Sequence, residues 1–263
     1  MSQDRTPKLR VHNFSLSLDG CAAGPNQSAD HPLGVGGHRL HEWAFATRTF
    51  RQMHGMDGGG VDLDDAFAAR GQVGIGATIM GRNMFGPIRG PWGSEDSRGE
   101  PDGLAGRVPR GMVWRGRAKR AGGGGGWGAE GRSEPFEGSH VNWKGWWGDN
   151  PPFHHPVFVL THHSRPSITM RGGTTFYFVT DGIRAALDRA LEAADGNDVG
   201  VGGGAATIQQ YLRAGLIDEM HLVIVPILLG SGERLFDHLD GGPYKCVEFL
   251  SSPSVVHVRF TRS

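Results

Sequence analysis

A glycine-rich turn between an apolar run and a helical pattern is the part of this sequence best suited to hold a ligand. Residues 199–201 are mainly apolar, Gly202, Gly203 and Gly204 follow, and a helical pattern starts at Ala205. The first amides of a helix are unpaired and lie at the positive end of its dipole, and glycines let a phosphate approach them. The same pattern fits a tight strand-to-helix turn without a ligand. The turn by itself leaves both interpretations open.

Three other apolar runs end in a polar residue or a glycine. Asp19, Gly81 and Thr161 each stand at the end of such a run. Strands that alternate with helices and carry continuous apolar runs predict a mostly parallel sheet that is covered on both faces. Ligands of such sheets bind at the carboxyl ends of the strands. We therefore expect these three residues and the glycine turn to meet at one edge of the sheet.

The periodicity of the apolar residues predicts an α/β fold with a mostly parallel central sheet, helices on both faces and a C-terminal antiparallel hairpin. Strands are expected at residues 8–18, 74–80, 156–161, 175–180, 199–201 and 219–225, with the hairpin at 244–250 and 255–261. Helices are expected at 38–53, from Asp62 onward, at 181–194 with Asp181 as the N-cap, and at 205–214.

Composition excludes several classes of protein. The 263 residues include 27 Lys and Arg and 27 Asp and Glu, a balance that argues against a nucleic-acid-binding surface. Two cysteines match neither a disulfide framework nor a zinc site, and the 13 histidines show no spacing that would position three metal ligands. No apolar run approaches the length of a membrane span. We expect a soluble cytoplasmic protein with no metal, no nucleic-acid partner and no membrane segment.

One segment does not follow the pattern of strands and helices. Residues 94–141 have no usable periodicity, few aliphatic side chains and a run of five glycines at 122–126. Such a composition buries too little apolar surface to offset the entropy of ordering the chain. We interpret it as a disordered insertion at about 94–141, within a single domain that spans residues 1–263.

Six short motifs in this order resemble the dihydrofolate reductase-like superfamily, and most closely the branch of the reductase domain of bacterial riboflavin biosynthesis. The resemblance covers about residues 8–93 and 142–262. The motifs are SLDG at 17–20, IMGRN at 79–83, VLTH at 159–162, VGGG at 201–204, GLIDEMHL at 215–222 and PILLGSG at 226–232.

The resemblance implies NADPH as the cofactor and decides the opening question in favour of a phosphate. It places Gly81, Arg82 and Asn83 at a helix start near the cofactor phosphates, and Thr161 and His162 near the adenosine 2′-phosphate. The glycine turn would bind the pyrophosphate. The candidate residues for this contact are Gly202, Gly203, Gly204, Ala205 and Thr207, which would contribute its hydroxyl. Asp19 is the candidate catalytic residue, near the expected hydride site, although an Asp-Gly turn alone would explain it.

The implied function is an NADPH-dependent reductase of a small heterocyclic substrate. The substrate would resemble that of 5-amino-6-(5-phosphoribosylamino)uracil reductase or of dihydrofolate reductase. Cys21 stands where the riboflavin-type reductases usually carry a lysine, and the alignment of Glu42 with the acid of dihydrofolate reductase is open. The alternatives are a Rossmann dehydrogenase, whose glycine motif would come earlier in the chain, and a non-catalytic nucleotide-binding or dimerisation module. We also expect a homodimer.

Overall fold

The computed structural model describes residues 6–28, 30–86, 92, 143–240 and 242–263. The insertion expected at 94–141 lies outside the described residues. Its disorder, and the single-domain interpretation that depends on it, stay predictions. Within the described residues, no helix is long and apolar enough to cross a membrane.

A nine-stranded sheet forms the centre of the fold, and it confirms the predicted α/β class. Its strands run in the order β10-β11-β8-β1-β7-β3-β4-β6-β5. The pairs that join β8, β1, β7, β3, β4 and β6 are all parallel, and β10 and β11 form the predicted C-terminal antiparallel hairpin. The strands are β1 (Leu9–Ser17), β2 (Cys21–Ala23), β3 (Ile75–Gly81), β4 (Pro156–Leu160), β5 (Ile168–Thr169), β6 (Thr175–Val179), β7 (Asp198–Gly203), β8 (Glu219–Val225), β9 (Glu233–Arg234), β10 (Tyr244–Ser251) and β11 (Val256–Arg262).

Two short strands outside this sheet, β2 and β9, pair with each other. They and β5 have only two or three residues, which is too few for a repeating pattern to show in the sequence. The helices are α1 (Glu42–Phe45), α2 (Arg48–Met53), α3 (Leu63–Arg70), α4 (Arg82–Phe85), α5 (Gly182–Ala193) and α6 (Ala205–Arg213), and 3-10 turns lie at Gly37–His41 and Arg171–Gly173.

The single helix predicted at 38–53 is wrong, because the segment is broken into a 3-10 turn, α1 and α2. Thr47 adopts an extended conformation between α1 and α2, and its hydroxyl accepts a hydrogen bond from the amide of Phe50. A hydroxyl that caps a new helix start competes with continuation of the preceding helix. The apolar spacing runs across the break because α1 and α2 both contact α3.

The aspartates at two predicted helix starts play different parts. The helix expected from Asp62 onward is α3, and Asp62 is its N-cap, since its carboxylate accepts from the amide of Asp65 at 3.0 Å. Asp181 precedes α5, but its side chain makes no capping hydrogen bond and instead accepts from Arg189 at 2.9 Å. Its φ of −89° and ψ of 14° differ from the extended conformation in which an N-cap side chain reaches the helix amides.

The two faces of the sheet are covered differently. Helices α5 and α6 pack on the first face, where Val199 and Val201 of β7 belong to the largest buried cluster. On the second face, one cluster gathers around Leu40 and Trp43, and another around Met80 and Phe85. Because side chains alternate along a strand, Gly200 and Gly202 of β7 face the second side, between these two clusters. Because β7 presents only glycines to the second face at these two positions, that face is open at the centre of the sheet.

Candidate functional site

The carboxyl ends of β7, β3 and β4 lie side by side, as the sequence predicts. They border a cavity of about 990 Å³ on the second face of the sheet. Every residue that the resemblance assigned to cofactor binding lines this cavity. These residues are Gly81, Arg82, Asn83, Thr161, His162, Gly202, Gly203, Gly204, Ala205 and Thr207.

The start of α6 presents unpaired amides to the cavity. Gly204 is the N-cap and has no side chain to cap the helix, while its carbonyl accepts from the amides of Thr207 and Ile208. Within the described residues, the amides of Ala205 and Ala206 donate no hydrogen bond. A Cβ atom added to Gly204 would meet no atom within 4 Å. The helix start is therefore open to an anion that approaches the backbone.

Gly81 has a packing role beside this helix start. A Cβ atom at Gly81 would collide with the hydroxyl of Thr207, so only glycine lets the end of β3 approach α6 this closely. Thr207 is itself buried. Its hydroxyl lies between β3 and α6. The contact of Gly81 with Thr207 therefore sets the spacing between the starts of α4 and α6.

Two arginines stack on the ring of Trp92, whose indole N–H donates to the carbonyl of the cavity-lining His163 at 2.7 Å. The guanidinium carbon of Arg82 lies 3.9 Å from the ring centroid of Trp92, and that of Arg165 lies 4.6 Å from the same centroid. Arg165 also donates to the carbonyl of Trp143 at 3.0 Å. Sequence reasoning missed Arg165, because it follows Thr161 by four residues in an irregular segment with no pattern of its own. The two guanidinium groups bring positive charge to the side of the site where Thr161 and His162 lie.

Thr161, His162 and Asn83 are placed by local contacts. The hydroxyl of the buried Thr161 accepts from the amide of His163 at 3.2 Å, which shapes the turn after β4 and leaves His162 exposed. The side-chain amide of Asn83 lies 3.4 Å from the side-chain oxygen of Gln27. These contacts give each residue a position at the cavity, and a ligand role for them stays a prediction.

Asp19 is not among the residues that line the cavity. Its carboxylate accepts from the amides of Leu229 at 3.1 Å and Gly230 at 2.7 Å. A hydrogen bond from the Ser17 hydroxyl, followed by the one from the Leu229 amide, lowers the pKa of Asp19 to about 2. The geometry makes Asp19 the anchor of the 226–232 loop, and its predicted chemical role remains untested. Glu42, the other acid considered, is exposed and also lies outside the lining.

Neutral histidines line the inner part of the cavity, and sequence reasoning did not single them out. Burial, and then the charge of Arg10, lower the pKa of His12 to about 4. Burial, and then the neighbouring His154, lower the pKa of His155 to about 4. Nε2 of His155 lies 2.7 Å from the hydroxyl of Thr78. The available signal was alternation, since Thr78 stands between Ala77 and Ile79, and His12 follows Val11.

A buried polar chain supports this wall of the cavity from behind. The amide of Asn13 donates to Nδ1 of His221 at 3.2 Å, His221 Nε2 lies 3.1 Å from Nδ1 of His257, and His257 Nε2 lies 2.9 Å from Asp64. Nδ1 of His221 also lies 3.1 Å from the side-chain oxygen of Asn13, so the two imidazoles link Asn13 to Asp64. The ring of Phe67 stacks on both imidazoles, at 4.7 and 4.1 Å between centroids.

Burial dominates the titration of this chain and keeps the two imidazoles neutral. It lowers the pKa of His221 to about 2, with further contributions from His12 and His257, and it lowers the pKa of His257 against the opposing effect of Asp64. The chain holds Asn13, which has a φ of 54° within an irregularity of β1. Positions 12–14 of β1 therefore owe their placement at the cavity to residues of α3, β8 and β11.

The comparisons with known proteins agree with this architecture. Residues 133–257 match the family model of the RibD C-terminal domain. The chain has a dihydrofolate reductase-like α/β fold, and its match to the riboflavin-biosynthesis reductase branch covers somewhat less than half of its length. A protein from Shewanella sp. PV-4 that is named for riboflavin biosynthesis has a similar structure, with a TM-score of 0.52 and 20% identity, over 97% of this chain and 99% of that one.

Two proteins of Bacillus subtilis are similar over shorter segments. The chain is 34% identical to the uncharacterized protein YwjB over 62 residues, and 37% identical to the uncharacterized protein YyaP over 59 residues. These segments are 24% and 22% of this chain, and they span 35% and 31% of the relatives' own length.

Proposed function

We propose that this protein is an NADPH-dependent reductase of a small heterocyclic or ribosylamino-pyrimidine-like substrate. The observation that carries the proposal is the open start of α6, where the amides of Ala205 and Ala206 face a cavity without a capping side chain. A dinucleotide needs such a site for its pyrophosphate and room beside it for two further groups. The RibD-like family match supports a reductase over other nucleotide-binding proteins.

The described residues fit NADPH along the carboxyl edge of the sheet. Gly202, Gly203, Gly204 and Ala205 would hold the pyrophosphate, because the open space in front of Gly204 admits a group that any side chain would displace. Arg82 and the neighbouring Arg165 would supply positive charge toward the 2′-phosphate. When bound, NADPH supplies the hydride.

The protein's own residues would bind and orient the substrate in the inner cavity. Trp43 packs there with its indole N–H donating to the hydroxyl of Ser15 at 2.9 Å, so its ring orientation is fixed. The neutral His12 and His155 offer hydrogen bonds without a charge at neutral pH. A mainly apolar lining would limit water around the reacting atoms and strengthen each polar contact inside.

A titration of NADPH and NADH by fluorescence tests the proposal directly. We expect NADPH to bind at least ten-fold more tightly than NADH, and NADPH to be oxidised when a pterin, a cyclic imine or an aminopyrimidine is accepted. Gly204→Val should abolish this binding without loss of the folded state. A wild-type protein that binds neither nucleotide would refute the reductase.

A second candidate function is a nucleotide-binding module without turnover, and one observation favours it. Cys21 replaces the lysine of the riboflavin-type enzymes, it is fully buried, and burial raises the pKa of its thiol. Neither a cation nor a thiolate is therefore present at this position at neutral pH. NADPH binding without oxidation across the whole panel would support the module. Cys21→Lys would then be the variant to test for gained turnover.

A further inference from the structure

The floor of the inner cavity is the second face of β7, where two glycines leave the sheet bare. Gly200 and Gly202 lie beside Thr78 of β3, and a Cβ atom at either glycine would come within ordinary contact distance of Thr78, at 3.5 and 3.4 Å. Alanine would therefore fit the strand at both positions. The glycines are not required by packing, and their effect is to give a flat floor the width of one strand, about 5 Å.

Aromatic rings line the same cavity in two groups. In the first group, Phe50 lies 4.8 Å from Phe45 and stacks on His54 at 4.1 Å between centroids. In the second group, Trp147 lies 4.9 Å from Phe153 in an edge-to-face contact. All five residues line the cavity. Aromatic surface within the cavity suits a flat ring as its occupant.

The charged side chains among the described lining residues make contacts away from the glycine floor or are exposed. Arg10 donates to Asp198 at 3.1 Å and to the carbonyl of Val73 at 3.0 Å. Arg82 stacks on Trp92 at the cofactor rim. Glu233 lies on an exposed two-residue strand. No other Asp, Glu, Lys or Arg of the described residues lines the cavity. A phosphate buried over the glycine floor would find no free cation among the described lining residues, and an unpaired buried charge is costly.

A polar pair faces the same floor. The Thr78 hydroxyl and Nε2 of His155 are 2.7 Å apart, and both residues line the cavity. Within the described residues, Nδ1 of His155 makes no hydrogen bond, so one ring nitrogen remains for a ligand. The low pKa of His155, about 4, keeps the ring uncharged at neutral pH, which suits a carbonyl or a ring nitrogen of a neutral molecule.

We propose that the inner cavity receives a flat, uncharged heterocycle that carries no phosphate, and that His155, held by Thr78, makes the hydrogen bond that recognises its polar edge. The proposal rests on the proposed reductase, whose substrate class it narrows. It departs from the phosphorylated pyrimidine that the riboflavin-type resemblance suggests. His155 is thus a specificity-determining residue contributed by the segment before β4.

A matched pair of ligands tests the absence of a phosphate site. Binding of 5-amino-6-ribosylaminouracil and of its 5′-phosphate is measured by calorimetry, with the wild-type protein, with and without saturating NADPH. We expect the unphosphorylated compound to bind at least ten-fold more tightly. Tighter binding of the 5′-phosphate would overturn the proposal, and it would leave the reductase intact. Lack of NADPH binding would instead refute the proposed reductase function. The heterocycle titrations without NADPH would still test the inner cavity.

Two adjacent histidines provide a matched pair of variants for the polar contact. His155→Asn should weaken binding of the unphosphorylated compound at least ten-fold and leave NADPH affinity unchanged. His154→Asn is the control, because His154 lies outside the cavity lining and its φ of 55° is one that asparagine tolerates. Equal affinities of the two variants for the heterocycle would overturn the role of His155. Melting temperatures confirm that both variants fold.

Discussion

Acid should destabilise this protein through the buried chain of His221, and the size of the effect follows from its pKa. An unperturbed histidine titrates near 6.5, and burial lowers the pKa of His221 to about 2 in the native state. Below pH 6.5, His221 is protonated in the unfolded chain but stays neutral in the native protein. The contribution of His221 to stability is therefore fully present above pH 6.5 and is lost as the pH falls toward 2.

The magnitude is set by one proton of difference between the two states. One such proton changes the free energy of unfolding by about 1.4 kcal/mol per pH unit. Between pH 6.5 and 4.5 the loss due to His221 alone is therefore about 2–3 kcal/mol. The lowered pKa values of His12, His155 and His257 act in the same direction, so the total slope is steeper.

Urea unfolding at pH 7.5, 6.5, 5.5 and 4.5 measures this slope. His221→Gln should be less stable than the wild type at pH 7.5, because it breaks the chain to Asp64, and its stability should fall less steeply with acid, by about one proton. His31→Gln is the control, since His31 is exposed and its side chain makes no hydrogen bond within the described residues. Parallel pH profiles of the wild type and His221→Gln would refute the reasoning.

Three further predictions concern Arg82, the glycine turn and Asp19. Arg82→Ala should weaken NADPH binding about ten- to a hundred-fold, because it removes one charge-assisted hydrogen bond of about 1.5–3 kcal/mol. It should leave NADH binding nearly unchanged. Equal losses for both nucleotides in a fluorescence titration would show that Arg82 does not bind the 2′-phosphate. Gly204→Val should abolish NADPH binding at an unchanged melting temperature. Gly203→Val should also lower the melting temperature, since the φ of Gly203 is 117°. Normal NADPH affinity of Gly204→Val would contradict the proposed pyrophosphate site at the glycine turn. Asp19→Asn should lower the melting temperature because it weakens the anchor of the 226–232 loop, and a loss of turnover without that destabilisation would instead favour a chemical role.

The sequence by itself determined the elements and their order. Periodicity marks a strand or a helix wherever one side of it is buried, so β1, β3, β4, β6, β7, β8 and the C-terminal hairpin were all predictable. The glycine turn before α6 was predictable for the same reason, because a strand, a bare backbone and a helix start are local in the chain. The break at Thr47 was not, since the apolar spacing continues across it.

Only the tertiary structure decided which residues share the inner cavity. His12 and Thr78 come from strands β1 and β3, which β7 separates, and His155 precedes β4. Their neutrality results from burial among side chains that are distant in sequence, which no local pattern encodes. Asp19 shows the converse, because its motif suggested chemistry while its carboxylate is held by loop amides some 210 residues away. A side chain's type and spacing state what chemistry it can do, and its neighbours in space decide whether it is placed to do it.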